Sequence, residues 1–465
     1  MTGETVATKL AHWVHGLELA QVPNETVHAA RRALLDTIGV ITAGARHPIT
    51  AKTRSAFLQG VGAASVTAGG TATPASAALI NGCAAHAYDF DDVSHTGILH
   101  GSAVIAPAVL AAMEQVGCGD DKALTAFIAG SEVCYLLGDA LTHHHFLKGW
   151  WTTCTLSGIG ASAGVAKLLG LGPEQIAQVI GLSAANAGCT RSPFGTDGKP
   201  FLCGFTAKTA VEFALAVNAS ISGPTDAFEN ESGFVTLLND GQFDHDVLET
   251  CGEPWRLLEP GLLFKRYPVC SSAQAIIEES AVMKESYGFS IDEIVEVECR
   301  VPDVVAQSLV YDDPQTPQQC QFSVPYSVAC GFHHGGINLS HIAAGAGIDA
   351  ELRTTMDKVR WQADAELSTE AMRLEFPECA KIVVHLRDSR VIEGFRPLAT
   401  GMPAAPLSDD GLVEKFRSCL SFGGVSEECA DSVAQTLLKL GGKPDEQRLA
   451  ETIRELWGRS TGTRH

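Results

Sequence analysis

The chain has 465 residues, 45% of them hydrophobic and 19% charged, and it carries a formal net charge of −21. This length exceeds a single simple core, so we expect two domains. The negative charge argues against nucleic acids and anionic membranes as partners, because both attract basic surfaces. No apolar run is long enough to span a bilayer, and residues 1–19 lack the apolar core of a signal peptide. The 14 cysteines are scattered and form no CxxC pair, which favours a reducing, cytoplasmic setting.

From residue 5 to about residue 265 the sequence predicts helices. Apolar residues recur every three or four positions, and short glycine-bearing loops separate the stretches 29–44, 122–141, 156–171 and 173–188. The small residues GIGASAG predict close helix–helix contact at 158–164. A dinucleotide-binding loop is not expected, because no GxGxxG motif follows a predicted strand.

The pattern changes after Pro268. Alternating, β-branched runs predict strands at 290–301 and 380–395, with helical patterns between them at 323–333 and 339–347. The segment 341–367 is assigned no strand, and the chain is helical again after residue 403. We therefore predict a mainly α fold. A large, discontinuous all-helical domain would comprise 1–267 and 401–465, and a smaller α+β lid domain would comprise 268–400.

The segment 86–102, HAYDFDDVSHTGILHGS, places three aspartates and three histidines between two apolar helix patterns. Charge beside buried helices is costly unless it is paired or used in function, although capping of helix ends is an alternative explanation. We expect His100 to act as an acid or base, oriented by Asp89 or Asp92. His86 is expected to be a packed, hydrogen-bonded side chain. The DFDD run also fits a weak isoprenoid-cyclase or Mg²⁺ pattern, but no second metal-binding motif is present.

Lysines in the segment 192–214 form a second candidate. Lys199 lies in a Gly/Pro turn directly before an apolar helix that carries Lys208. A lysine at a helix N-terminus is well placed to bind a carboxylate or to transfer a proton. A solvated loop lysine is the alternative.

The third candidate lies at the predicted domain boundary. Lys265 and Arg266 supply positive charge there, Tyr267 precedes a proline that enforces an extended turn, and Cys270 follows. A solvated linker is the alternative. The run His143-His144-His145 is not expected to bind a metal, because consecutive helical residues point about 100° apart.

Taken together, these segments resemble the MmgE/PrpD family, which includes 2-methylcitrate dehydratase, cis-aconitate decarboxylase and iminodisuccinate epimerase. The motifs that carry the resemblance follow one another along almost the whole chain: AARRALLDTIGVITAG, NGCAAHAYDFDD, HGSAVIAPAVLA, GTDGKPFLCGFTAK, KRYPVC, DDPQTPQQCQFSVPYSVA and PLSDDGLVEKF. The resemblance implies the same two-domain fold, a homodimer, no metal and no organic cofactor. It also implies a small anionic di- or tricarboxylate substrate.

The family's chemistry is proton removal at a carbon next to a carboxylate. The resemblance places Asp89, His100 and Lys199 among the catalytic residues. Side chains expected to bind the substrate or line the site are Lys265, Arg266, Asp92, Ser94, Lys208, Arg191, Tyr267, Cys270 and Trp151.

Four departures from the lyase pattern stand out, and one of them is an extra residue between Asp89 and His100. Val93 replaces a usual threonine, Trp151 occupies a position where the lyases commonly have histidine, and 267–274 contains no histidine. Loss of two histidines weighs against dehydration, because a dehydratase must protonate a leaving hydroxide. We therefore favour an epimerase of an iminodisuccinate-like substrate that uses His100 and Lys199 as its two bases. A dehydratase, a decarboxylase and a non-catalytic scaffold are the alternatives.

Overall fold

The computed structural model describes residues 4–58, 62–442 and 446–459. The chain forms two compact units. Unit 1 comprises Met1–Ala87, Asp91–Leu263 and Ser408–His465, and unit 2 comprises Tyr88–Phe90 and Phe264–Leu407. The sequence places the inserted domain at 268–400 and does not anticipate that a tripeptide from the 86–102 segment belongs with it. Residues 1–3 and 460–465 of the predicted helical domain lie outside the described residues.

Unit 1 is helical. In chain order its first helices and short strands are α1 (Val6–Gly16), α2 (Asn24–Gly44), α3 (Pro48–Phe57), β1 (Ala64–Ser65), β2 (Thr71–Ala72), α4 (Pro74–His86), α5 (Ser102–Val116), α6 (Asp120–Leu141), α7 (His144–Leu147), α8 (Thr152–Leu169), α9 (Pro173–Ala185), α10 (Gly198–Asn218) and α11 (Phe234–Asn239). β1 and β2 form a small antiparallel pair.

Helices α4 and α5 lie in the interior of unit 1. Every residue of α4 from Ala77 to His86 is buried, and so is every residue of α5 from Ser102 to Glu114. Helix α4 begins where the Thr73 side chain caps it and Pro74 presets the first turn. Because both helices are covered on all faces, the loop that joins them begins and ends in the core.

The small residues of 158–164 allow close helix packing, as the sequence predicts. A Cβ atom at Gly160 of α8 would lie 2.4 Å from the Gly130 carbonyl oxygen of α6, and one at Gly164 would lie 2.7 Å from the Ala126 carbonyl oxygen. The helix backbones therefore approach each other where no side chain intervenes. The expectation of tight helix contact at this motif is confirmed.

Two helices of unit 1 are long and apolar enough, by length and composition, to cross a membrane: Asp120–Leu141 and Gly198–Asn218. The expectation that no segment meets this criterion was wrong. The apolar window of Asp120–Leu141 is 94% buried inside the protein, and that of Gly198–Asn218 is 44% buried. An interior helix of a helical protein has the same composition as a membrane-spanning helix, because both are surrounded by apolar groups.

Unit 2 combines a mixed sheet with short helices. Its elements in chain order are α12 (Gln274–Tyr287), β3 (Ile294–Val301), α13 (Asp303–Ser308), α14 (Pro317–Cys320), α15 (Val324–His334), α16 (Leu339–Ala343), α17 (Ala350–Met356), β4 (Val359–Ala363), α18 (Glu370–Glu375), β5 (Ala380–Leu386) and β6 (Val391–Arg396). The strand order is β4-β3-β5-β6, with β3 and β4 parallel and the other pairs antiparallel.

The sheet differs from the prediction in two places. The run 380–395 is a hairpin that turns at Ser389, whose φ is +68°. The edge strand β4 was not predicted, although its five residues VRWQA alternate between apolar and polar. The run is short and follows a helical pattern directly, and only Val359 is buried in the structure.

The chain then returns to unit 1 as α19 (Asp409–Gly423), α20 (Glu427–Leu437) and α21 (Arg448–Arg459). These helices are tied to α2 by buried polar contacts. Lys415 Nζ lies 2.7 Å from Asp36 Oδ1, and Trp457 donates to Thr42 Oγ1 at 3.2 Å. The two ends of the chain thus share one helical core.

Candidate active site

Three side chains at the α4–α5 connection form a buried polar cluster in unit 1. His86 is the last residue of α4, and Asp91 and His100 lie in the loop before α5. Asp91 Oδ2 lies 2.8 Å from His86 Nδ1 and 3.1 Å from His100 Nδ1. The His86 and Asp91 side chains are fully buried, whereas that of His100 is 13% exposed. His100 is therefore the member of this cluster that reaches the surface.

The electrostatics of the cluster are asymmetric. Burial opposes the charge on Asp91, but His100 and His86 outweigh it and hold the pKa of this carboxyl well below its usual range. Burial lowers the pKa of His86 to about 4, against the attraction of Asp91. At neutral pH the cluster therefore contains an ionised carboxylate and a neutral His86.

The connection between α4 and α5 contains unusual backbone geometry. Asp89 and Ile98 adopt positive φ values of 49° and 55°, a region that non-glycine residues seldom occupy. The His100 amide donates to Thr153 Oγ1 at 3.0 Å, and Thr152 Oγ1 donates to the Ile98 carbonyl at 2.6 Å. The first turn of α8 therefore holds the His100 side of this loop in place.

Lys199 belongs to the same neighbourhood of unit 1. It lies in the first turn of α10, is 5% exposed, and its positive charge contributes to the lowered pKa of His86. An aromatic path links the two residues. The Trp151 ring centroid lies 5.6 Å from that of His86 and 5.7 Å from that of Phe194, and Lys199 Nζ lies 5.1 Å from the Phe194 centroid. The structure thus brings His100, Lys199 and Trp151 to one region, as expected from the sequence.

Arg191 lies on the loop between α9 and α10, three residues before Phe194. Its guanidinium carbon stacks 4.2 Å from the centre of the Phe146 ring, and burial lowers its pKa. Among the residues described by the structure, Arg191 has no carboxylate partner. A half-buried guanidinium of this kind is suited to a carboxylate that arrives with a ligand.

Asp89 and Lys265 form a buried ion pair within unit 2. Lys265 Nζ donates to both the carbonyl oxygen and Oδ1 of Asp89, each at 2.8 Å. The Lys265 side chain is fully buried and that of Asp89 is 4% exposed. Close by, Gln321 Nε2 donates to the Tyr88 carbonyl at 2.6 Å. These contacts attach residues 88–90 to unit 2.

Two predicted site residues have structural partners in the interior of unit 1. Asp92 is completely buried and accepts a 2.6 Å hydrogen bond from Ser102 Oγ. Burial and the nearby Asp36 raise its pKa well above the usual range. Ser94 is also fully buried and hydrogen-bonds to Thr96 Oγ1 at 2.9 Å. The structure does not place Asp92 with His100 in the way the sequence suggests, because its carboxyl faces α5.

Four further predicted residues have other partners or surroundings. Lys208 pairs with Glu212 one turn further along α10 at 2.8 Å. In unit 2, Arg266 and Tyr267 line a cavity of about 390 Å³. Arg266 Nη1 also lies 3.3 Å from Glu278 Oε1. Cys270 donates its amide to the Gln321 carbonyl at 3.1 Å.

His86, Asp91 and His100 are also residue types that bind divalent metals. One ligand atom from each lies within 4.8 Å of the others. Asp91 already has a hydrogen bond to His86 Nδ1 at 2.8 Å, and His100 Nδ1 lies 3.1 Å from it, so its oxygens have protein partners. A metal-free site remains our prediction. The His143–His145 run does not converge, since His144 contacts Asp240 and His145 turns inward to Thr155.

The expectation that His86 is a packed, hydrogen-bonded side chain is confirmed, whereas sequence reasoning missed Asp91 as its partner. Asp91 follows His86, the last residue of α4, by five positions. This spacing does not reveal that the loop folds back and brings Asp91 onto His86. The three aspartates of the DFDD run have different partners. Asp89 pairs with Lys265, and Asp92 accepts a hydrogen bond from Ser102. Asp91 lies beside the two histidines. Only the path of the backbone distinguishes them.

Comparison with known proteins identifies the family of this chain. The MmgE/PrpD N-terminal domain matches residues 8–246, and the MmgE/PrpD C-terminal domain matches residues 267–440. Cis-aconitate decarboxylase of Homo sapiens is 24% identical over 434 residues, which cover 89% of this chain and 88% of that protein. A cis-aconitate decarboxylase-like protein of Aspergillus oryzae is 23% identical over 476 residues, covering 96% and 97%. Both family domains are matched over most of the chain, and the protein belongs to the MmgE/PrpD family.

Proposed function

We propose that this protein is a cofactor-independent decarboxylase of a small unsaturated polycarboxylic acid of the cis-aconitate type. The observation that carries the proposal is the partly exposed His100 held against the ionised Asp91, with the cationic Lys199 in the same region of unit 1. Of the two relatives named above, one is a cis-aconitate decarboxylase and the other a cis-aconitate decarboxylase-like protein. They favour this alternative over the epimerase that the sequence departures suggest.

The reaction needs one proton and no redox partner. The bond between carbon and one carboxylate breaks, CO₂ leaves, and the electron pair moves into the carbon framework. A proton then bonds to a carbon of that framework, so that the carboxylate anion plus H⁺ gives product plus CO₂. His100 in its imidazolium form supplies that proton. Lys199 and Arg191 bind the carboxylates that remain and stabilise the negative charge that develops.

One observation keeps the epimerase as a second candidate. Trp151 is buried, and its ring lies 5.6 Å from that of His86. The resemblance indicates histidine at this position in the lyases, so an indole here removes a possible proton donor. An epimerase would still have His100 and Lys199 as two bases.

The deciding experiment incubates the full chain in D₂O with cis-aconitate, with hydroxy-tricarboxylates and with dicarboxylic amino and imino acids. CO₂ release and proton NMR are followed, with and without excess EDTA. We expect one CO₂ and one carbon-bound deuterium per turnover of the unsaturated acid, unaffected by EDTA. Deuterium exchange at the α-carbon without loss of CO₂ would support the epimerase instead, and absence of both reactions with every acid would overturn the proposal.

Variants test the assigned roles. His100→Asn and Lys199→Met are each expected to lower kcat/KM by about 100-fold or more, because each removes a group that transfers a proton or binds substrate charge. Lys148→Met is the matched control, since Lys148 is exposed and paired with Asp240 at 2.5 Å. Unchanged kcat/KM in both site variants would remove these residues from the mechanism.

A further inference from the structure

We infer that Asp91 is a positioning residue, shared between two histidines, that fixes both the orientation and the proton position of His100. His86 holds the same carboxylate through both of its oxygens. The inference rests on the proposed role of His100 as the group that transfers the proton. Asp91 itself is completely buried, so its proposed action is on His100 and not on the substrate.

The contacts of the carboxylate define its orientation. His86 Nδ1 lies 3.0 Å from Asp91 Oδ1 and 2.8 Å from Oδ2, so it bridges both oxygens. His100 Nδ1 approaches Oδ2 alone, at 3.1 Å. The two rings meet edge to face, with centroids 4.7 Å apart and an interplanar angle of 66°. Rotation of the carboxylate would therefore break contacts with two rings at once.

Both rings turn Nδ1 toward the carboxylate, so the edge of the His100 ring that carries Nε2 faces away from Asp91. An imidazole that donates its Nδ1–H to a carboxylate presents Nε2 on the opposite edge of the ring. Because only His100 is partly exposed, at 13% against 0% for His86, Nε2 of His100 is the nitrogen that can meet a substrate. This is the arrangement in which a carboxylate sets the tautomer of an acid–base histidine.

The charge distribution explains why two histidines can share one aspartate. The pKa of His86 is lowered to about 4, first by burial and also by Lys199. His86 therefore stays neutral and gives Asp91 a hydrogen bond without neutralising it. The single negative charge remains available to stabilise the imidazolium form of His100. A second charged imidazole would compete for that charge.

Asp91→Asn tests the inference in turnover. An asparagine keeps the size of the side chain but presents an NH₂ group that cannot accept from Nδ1–H. We expect kcat to fall by about 10²- to 10⁴-fold with KM changed by less than about threefold. Asp91→Glu should recover part of the activity, and His86→Asn should lower kcat by about tenfold. Asp120→Asn is the control, because Asp120 is 1% exposed and hydrogen-bonds to the Leu449 amide, away from the histidine cluster.

A second measurement is independent of any substrate. With ¹⁵N-labelled histidine, long-range ¹H–¹⁵N NMR reports which ring nitrogen carries the proton, and His100→Asn assigns the signal. We expect neutral His100 to carry its proton on Nδ1 in the wild type and to lose that preference in Asp91→Asn. A wild-type His100 protonated on Nε2 would overturn the inference, as would Asp91→Asn with unchanged kcat. If no acid is turned over but the tautomer shifts as expected, only the proposed function fails.

Discussion

At the scale of single residues, the buried pair Lys265–Asp89 has the clearest energetic consequence. Neither side chain is more than 4% exposed, and each is the other's partner at 2.8 Å. Breaking a buried pair costs more than removing it entirely, because one charge is left in a medium that solvates it poorly. The pair thus anchors residues 88–90 within unit 2.

Lys265→Met is therefore expected to lower the free energy of unfolding by about 3–5 kcal/mol. The double variant Asp89→Asn/Lys265→Met should lose markedly less, since it leaves no buried charge. Lys208→Met breaks the more exposed pair with Glu212 and should cost less than about 1 kcal/mol. Urea denaturation of the four proteins measures these differences, and an equal loss in single and double variants would contradict the explanation.

Residue identity alone identified some of the candidate site. His100 and Lys199 were predicted because ionisable side chains stand next to apolar helix patterns, and the structure brings both to the surroundings of His86. Asp91 was not predicted. Three aspartates within four positions have equivalent sequence surroundings, and the folded loop, in which Asp89 has a left-handed φ of 49°, gives each carboxylate its own direction.

At the scale of elements, small residues determine how closely the helices of unit 1 approach. Gly160 of α8 faces the backbone of α6 at Gly130, where an added Cβ would lie 2.4 Å from a carbonyl oxygen. A backbone atom cannot rotate away as a side chain can. The period of the sequence pattern identifies the helices, while glycine at these positions identifies where they touch.

Gly160→Ala is expected to destabilise the protein by about 1–3 kcal/mol or more, because α6 and α8 must separate. Gly16→Ala is the control, since Gly16 ends α1 with no atom within 4 Å of its added Cβ, and it should be neutral or slightly stabilising. Thermal unfolding compares the two variants. A Gly160→Ala protein as stable as the wild type would show that the crossing is looser than the structure indicates.

At the scale of the whole molecule, buried titratable groups set the pH dependence of stability. Burial lowers the pKa values of His47, His86 and His145 to about 4. Each of these groups stabilises the folded state fully above its unfolded pKa of about 6.5, and that contribution is lost as pH falls through 4. Glu132 has the opposite sign. Burial raises its pKa to about 7, so its contribution is present below pH 4.5 and is lost as pH rises through 7.

Among these four groups, only Glu132 makes the folded state more stable as pH falls, and Glu132→Gln removes that contribution. We expect the free energy of unfolding of this variant to fall more steeply between pH 6.5 and 4.5, by about 1.4 kcal/mol per pH unit relative to the wild type. Loss of the hydrogen bond from the Arg256 or Leu257 amide lowers the free energy of unfolding by an amount that does not change with pH. Denaturation series at several pH values measure the slopes, and parallel slopes would refute the assignment.

The sequence alone determined the mainly helical fold class, the change to strands after Pro268, the family, and two of the ionisable residues near the candidate site. These properties follow from periodicity, residue type and motif order, which are local or linear in the chain. The tertiary structure decided that residues 88–90 belong to unit 2, that β4 is a strand, and that Asp91 lies between two histidines. Those outcomes depend on contacts between residues and on backbone turns, because a buried carboxylate takes whichever partner the folded chain places within hydrogen-bond distance.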